Sequence, residues 1–156
     1  MDFFELIRLG NIDELKQQLS TDPQLLSTRD SRGFPPLVLA SYNDQYDITQ
    51  YLLEAGANVN VQDAAGNSAL IGVSFKGHTK IAALLLEHGA DVNIQNVNGA
   101  TALIYSAMFG QTEIAKMLLE HGADKTIRDQ QGSTAADYAR TQGASGMNEL
   151  LGGIAQ

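Results

Sequence analysis

The chain contains no cysteine among its 156 residues. Disulfide bonds, thiolate nucleophiles and zinc sites with cysteine ligands are therefore excluded. The sequence also lacks the apolar run of about 18 residues that a membrane-spanning helix needs. The first residues, Met1 to Glu5, have neither the basic nor the apolar segment of a secretory signal, so we expect a cytoplasmic protein.

Basic residues are also scarce. Ten lysines and arginines stand against 18 aspartates and glutamates, which gives a formal net charge of −8 and a pI near 4.6. Affinity for nucleic acid depends on basic side chains that release counterions from phosphates, so the charge has the wrong sign. We therefore expect neither nucleic acid nor an anionic membrane as a partner. The glycines are spaced and not clustered, so no phosphate-binding loop is present.

What the sequence does contain is an internal repeat. Four glycines are spaced 33 residues apart: Gly33, Gly66, Gly99 and Gly132. Other positions keep the same spacing: Gly56, Gly89 and Gly122; Ile48, Ile81 and Ile114; the leucine pairs at 52–53, 85–86 and 118–119; and Asp30, Asp63, Asn96 and Asp129. A unit of this length cannot bury its apolar face alone, so its neighbours must supply the other side of the core. The sequence therefore predicts a stack of similar units.

One period, beginning at Asp63, predicts a turn, a helix, a tight turn and a second helix. Asp63 and Gly66 supply turn chemistry, and we expect Ser68 to be the N-cap of the first helix. Gly77 ends that helix, and Thr79 is predicted to be the N-cap of the second. The second helix has apolar residues at the spacing of a buried stripe: Ile81, Leu84, Leu85 and Leu86. Gly89 then ends it.

Two segments carry a family resemblance. LLLEHGADVNIQ, from Leu84 to Gln95, and MLLEHGADKTIR, from Met117 to Arg128, resemble the second half of an ankyrin repeat, whose known period is 33 residues. The resemblance covers nearly the whole chain and implies an all-α solenoid of stacked helix-turn-helix units with projecting turns. We divide the single domain, 1–156, as follows: an N-terminal capping repeat, 1–29; full repeats 30–62, 63–95 and 96–128; and a C-terminal capping repeat, 129–156.

The chain departs from the family where Thr-Pro-Leu-His is usual. It has PPLV from Pro35, SALI from Ser68, TALI from Thr101 and TAAD from Thr134, so the histidine that usually bonds between repeats is absent from that position. Gly72 is a further irregularity, since a glycine inside a helix costs about 0.5 to 1 kcal/mol relative to alanine. Such differences between equivalent positions argue against an idealised consensus design.

Candidate residues for chemistry are few. His88 and His121 occupy the same position in adjacent repeats, but stacked helices lie too far apart for both to bind one metal at about 2 Å. They are better explained by the negative end of a helix dipole, and His78 by a structural role. Aspartates and serines fall at turns and caps, where structure already explains them. We therefore expect no catalytic site, no metal and no cofactor.

The resemblance implies a binding surface. In the family, the turn tips and the ends of the first helices line a concave face, and we call its equivalent here the candidate face. Its predicted residues are Arg32, Phe34, Tyr42, Asn43, Asn67, Phe75, Lys76, Asn98, Met108 and Phe109. Large apolar side chains at exposed positions mark interfaces, and aromatic residues and methionine are enriched there. The alternative is that Tyr42, Phe75 and Met108, spaced 33 apart, tuck between helices as core.

The function implied is that of a non-catalytic, monomeric module that binds another protein through the candidate face. Two alternatives stay open. The protein could be a dedicated inhibitor, or immunity-type cap, of a single enzyme or toxin, which would differ from a general adaptor in affinity and partner number. It could also be an enzyme, which would need a pocket with convergent polar groups.

Overall fold

The computed structural model describes residues 1–143 and 145–152. Within them the chain forms ten α-helices and no strand beyond an isolated bridge between Gln62 and Ser68. The helices are α1 (Phe3–Leu9), α2 (Ile12–Thr21), α3 (Pro36–Tyr42), α4 (Tyr46–Glu54), α5 (Ala69–Lys76), α6 (Thr79–Glu87), α7 (Ala102–Met108), α8 (Thr112–Glu120), α9 (Ala135–Gln142) and α10 (Ser145–Leu151). A 3₁₀ helix, Pro23–Ser27, follows α2. The all-α prediction is confirmed.

The helices stack in two layers. Each odd-numbered helix packs against the even-numbered helix that follows it in the chain. The odd-numbered helices α1, α3, α5, α7 and α9 contact one another in order, and α4, α6, α8 and α10 do the same in the second layer. We call the two sets the first helices and the second helices. This is the arrangement predicted from the 33-residue spacing.

Side-chain caps start the first helices of the central and C-terminal repeats. The Ser68 hydroxyl accepts a hydrogen bond from the amide of Ile71 at 3.3 Å, which confirms its predicted role. Thr101 and Thr134 cap α7 and α9 in the same way. Thr79 was predicted to cap α6, but this is wrong: it is the first helical residue, and its hydroxyl donates backward to the Gly77 carbonyl at 3.5 Å.

The core is one continuous cluster that runs from Phe3 to Leu151. Leu52, Leu85 and Leu118, which keep the 33-residue spacing, are each 0% exposed. Because each second helix packs against a first helix and against its neighbouring second helices, these leucines belong to the core that the repeats share. The predicted stripe on the second helices is confirmed.

The C-terminal end is closed by a short helix. Met147 and Leu151 of α10 are buried, and Leu150 is half-buried. The predicted C-terminal repeat also includes residues 144 and 153–156, which lie outside the described residues. The boundaries of the individual repeats stay predictions.

Candidate functional site

Aromatic side chains of the candidate face lie together at the ends of first helices. Tyr42, Phe75 and Phe109 are 38%, 39% and 47% exposed. The rings of Tyr42 and Phe75 are parallel with centroids 6.4 Å apart, and Phe75 meets Phe109 edge to face at 4.7 Å. Tyr105, which sequence reasoning missed, places its ring 6.3 Å from that of Phe75. We call these four residues the aromatic cluster.

Met108 differs from the two residues with which it was predicted to form a row. It is the last residue of α7, is half-buried and packs against the core. Phe109 follows as the C-cap, outside the helix, and provides the exposed ring beside Phe75. Burial in the core therefore describes Met108 better than Tyr42 or Phe75.

A groove lies beside the aromatic cluster, at the first two turn tips, which begin at Asp30 and Asp63. Its volume is about 760 Å³. Five predicted residues of the candidate face line it: Arg32, Phe34, Tyr42, Asn43 and Asn67. Asn43 is also held locally, because its Nδ2 donates to the Leu39 carbonyl at 2.8 Å. The groove and the aromatic cluster share Tyr42, so they form one continuous surface.

Lys76 and Asn98 complete the predicted set. The Lys76 Nζ lies 5.0 Å from the centroid of the Tyr42 ring, which is within cation–π distance. Asn98 is exposed on the third turn tip, and its backbone carbonyl accepts from the Gln130 amide at 2.9 Å. Lys76 therefore belongs with the aromatic cluster, whereas Asn98 belongs to the tips.

The side chain of the first residue of each turn tip accepts hydrogen bonds from the backbone of that tip. Oδ1 of Asp30 accepts from the amides two and four residues later, each at 2.9 Å. Asp63, Asn96 and Asp129 repeat this pair of bonds at 2.9 to 3.1 Å. Asn67 has an added role, because its Oδ1 accepts from Nδ2 of Asn96 at 2.9 Å. The turn chemistry predicted for Asp63 is therefore confirmed, and it recurs in all four tips.

Backbone bonds tie the later tips to one another. The Val97 amide donates to the Ala65 carbonyl at 3.0 Å, and the Gln130 amide donates to the Asn98 carbonyl at 2.9 Å. Gly66 has φ +80°, and a Cβ there would lie 3.0 Å from the backbone of the third tip. Glycine is needed at this position both for its positive φ and for the close approach of the second and third turn tips.

Two tyrosines bond to the turn residue of their own repeat. The Tyr105 hydroxyl accepts from Nδ2 of Asn96 at 3.0 Å, and the Tyr138 hydroxyl donates to Oδ2 of Asp129. That bond is the main reason why the pKa of Tyr138 is raised. Burial acts to raise the pKa of Asp129, but hydrogen bonds from Tyr138 and from backbone amides of the tip hold it below its ordinary value.

Polar residues before the second helices reach back to the preceding repeat. Gln45, His78 and Gln111 share the 33-residue spacing and are the N-cap residues of α4, α6 and α8. Gln45 Nε2 donates to the Arg8 carbonyl at 3.3 Å, and His78 Nε2 lies 3.1 Å from the Tyr42 carbonyl oxygen. The structural role expected for His78 is confirmed, and contact between repeats is made here although the usual histidine is absent. The shared spacing could have revealed this position.

The remaining histidines lie at helix ends, as expected. His88 and His121 are exposed and are the C-cap residues of α6 and α8. Across residues 1–143 and 145–152, no group of three or more histidine, aspartate or glutamate side chains is placed to hold a metal ion. In the same part of the chain, none of the helices combines the length and hydropathy needed to cross a bilayer.

Comparison with known proteins agrees with this architecture. A family model described as ankyrin repeats (3 copies) matches residues 37–129 and 70–153. The human "DNA-binding protein RFXANK" is 33% identical over 61 residues, which make up 39% of this chain and 24% of the human protein. The family match covers well over half of the residues and agrees with the helix pairs, the turn tips and the two-layer stack. The chain therefore belongs to the ankyrin-repeat family.

Proposed function

We propose that this protein binds another protein through the candidate face and carries out no chemistry of its own. The observation that carries the proposal is the aromatic cluster, three of whose rings are more than one third exposed. Ankyrin repeats generally mediate protein–protein interaction. Exposed aromatic rings on a rigid scaffold are typical anchors of such interfaces, because they bury a large area with little loss of side-chain entropy.

The distribution of charge on the helices indicates which kind of partner surface would fit the candidate face. Helices α3, α5 and α7 contain no aspartate or glutamate, and Lys76 is their one charged residue. Acidic residues lie instead on the second helices, where Glu54, Glu87 and Glu120 end α4, α6 and α8. A partner with an apolar centre and a mixed-charge rim fits this pattern. The net charge of −8 would favour its approach through basic groups at the rim.

Nucleic acid is a weaker candidate. The human relative is named as a DNA-binding protein, but it aligns with only 39% of this chain. The acidic balance of the whole sequence opposes binding to phosphates. A cytoplasmic location and a monomeric state stay predictions.

The test uses affinity capture with matched variants. Wild-type protein and the Phe75→Ala, Phe109→Ala and Glu87→Ala variants are immobilised, and proteins retained from a lysate of the source cell are identified by mass spectrometry. Loss of an anchor typically costs at least about 2 kcal/mol, which is about thirtyfold in affinity. We expect both phenylalanine variants to lose the partner and Glu87→Ala to keep it. Melting temperatures should stay within a few degrees, because Phe75 and Phe109, 39% and 47% exposed, lie outside the buried core.

Two outcomes separate the proposal from its alternatives. Equal retention of a partner by all four proteins would show that binding occurs elsewhere. A single stoichiometric partner whose enzymatic or toxic activity falls on binding would identify the dedicated inhibitor instead of a general adaptor.

A further inference from the structure

One position in the repeat is occupied by a glycine in the second repeat, where the next two repeats have tyrosine. It lies nine residues after the turn residue and is occupied in successive repeats by Leu39, Gly72, Tyr105 and Tyr138. In the last two repeats the tyrosine hydroxyl bonds to the turn residue of the same repeat. Gly72 has no side chain with which to do so.

The second turn residue is correspondingly left with an unused acceptor. Oδ1 of Asp63 accepts from the amides of Ala65 and Asn67 at 2.9 Å each. Within residues 1–143 and 145–152, no donor bonds to its Oδ2. Asp63 and Gly72 both line the groove of about 760 Å³. The groove therefore contains an anionic acceptor beside Gly72, the position equivalent to Tyr105 and Tyr138 in the next two repeats.

The walls of this space suit an aromatic ring. In the third repeat, Tyr105 meets Phe75 edge to face at 6.3 Å. The residues 33 positions earlier are Gly72 and Tyr42, and a Cβ built on Gly72 would lie 3.4 Å from Cδ1 of Tyr42, an ordinary contact distance. A ring above Gly72 would therefore pack against Tyr42 as Tyr105 packs against Phe75.

We propose that the groove binds a tyrosine side chain presented by the partner protein, with its ring above Gly72 and its hydroxyl donating to Oδ2 of Asp63. This inference rests on the proposed function and names the residue type that the candidate face recognises. A cationic side chain could also pair with Asp63, but the charges that line the groove already balance: Arg8 and Arg32 stand beside Asp30 and Asp63, and Arg8 Nη1 lies 3.9 Å from Oδ2 of Asp30. The groove therefore does not favour a positive charge over a neutral donor. A phenol supplies the donor without the charge.

Three capped peptides test the assignment: acetyl-Gly-Tyr-Gly-amide and the matched peptides with phenylalanine or arginine at the centre. Each is titrated into ¹⁵N- and ¹³C-labelled protein and followed by NMR. We expect the tyrosine peptide to shift amide resonances around Gly72, Tyr42 and Asp63, with a dissociation constant in about the millimolar range. The phenylalanine peptide should bind about tenfold more weakly, because it cannot donate to the carboxylate.

The side-chain carboxyl ¹³C resonance of Asp63 gives a readout that needs no variant. It should move with the tyrosine peptide and stay in place with the phenylalanine peptide. Equal binding of these two peptides, stronger binding of the arginine peptide, or shifts that avoid the groove would each overturn the proposal.

The Gly72→Tyr variant fills the groove from within. The introduced tyrosine should raise the melting temperature and abolish the shifts caused by the tyrosine peptide, while Lys80→Ala, an exposed change on α6, should leave them unaltered. Persistent shifts, or a melting temperature below that of the wild type, would contradict the equivalence of the positions.

Capture of the partner distinguishes the two proposals. If Phe75→Ala abolishes capture but Gly72→Tyr does not, the candidate face binds its partner without a tyrosine in the groove, and only this further inference fails. If neither change affects capture, the proposed function fails as well.

Discussion

Replacing Leu85 by alanine tests the physical basis of the stack. The side chain is 0% exposed on α6, which packs against α4 on one side and α8 on the other. Leu85→Ala removes three carbon atoms, which lowers the transfer free energy gained on folding by about 2.4 kcal/mol at about 0.8 kcal/mol each. The cavity left between two neighbouring helices adds to this loss, so we expect destabilisation by about 3 to 4 kcal/mol.

Urea denaturation followed by circular dichroism measures the effect. With a slope of about 2 kcal/mol per molar urea, the midpoint should fall by about 1.5 to 2 M. Lys80→Ala is the matched control, because it is an exposed change on the same helix and should alter stability by less than about 0.5 kcal/mol. Equal shifts for the two variants would refute the assignment of the buried face of α6.

Two further predictions follow from the first helices. Gly72→Ala should stabilise the protein by about 0.5 to 1 kcal/mol in the same assay, because the position is helical and the new Cβ makes only an ordinary contact with Tyr42; a loss of stability would show that this contact is strained. Tyr138→Phe should raise the pKa of Asp129 toward its ordinary value, measured by an NMR titration of the carboxyl carbon, whereas Tyr105→Phe should leave it unchanged. Because the folded-state pKa of Asp129 is lowered, the stability that its carboxylate contributes is present above the ordinary carboxyl range. That stability is lost as the pH falls through the folded-state pKa, so Tyr138→Phe should make unfolding less sensitive to acid in this pH window. An unaltered titration of Asp129 would contradict this reasoning.

The parts of the fold that repeat could be predicted from the sequence. The leucines of the second helices and the turn aspartates recur because every repeat must bury the apolar face of its helices and provide hydrogen-bond acceptors for the amides of its turn. Leu85 and Asp63 therefore stand where the spacing places them, and the Ser68 cap is predicted from local chemistry alone. In each case the physical cause lies within one repeat or is shared by all of them.

The candidate site was less predictable, because it depends on differences between repeats. Tyr105 was missed because its equivalent positions hold leucine, glycine and tyrosine, so the spacing carries no signal. Met108 keeps the spacing of Tyr42 and Phe75 but is half-buried, and Phe109, outside the helix, is exposed beside Phe75. A helical period cannot predict the direction of a residue that follows the helix.

The error at Thr79 has a similar origin. Its hydroxyl made it a reasonable N-cap, yet the cap position is taken by His78, whose ring lies against the Tyr42 carbonyl of the preceding repeat. The contact of His78 with the preceding repeat accompanies this helix start, and no single repeat reveals it.

The hydrogen bonds between turn tips have a consequence for the entropy of association. The second tip is tied to the third by the bond from Val97 to Ala65, and the third to the fourth by the bond from Gln130 to Asn98. Within residues 1–143 and 145–152, no such backbone bond joins the first tip, which contains Gly33, to the second. A partner that contacts the last three tips meets a surface already fixed in place, so little conformational freedom is lost there when the complex forms. The first tip is held by the Asp30 bonds but has no such bond to its neighbour, so contacts there would leave more conformational freedom to be lost and would contribute less affinity for the same buried area.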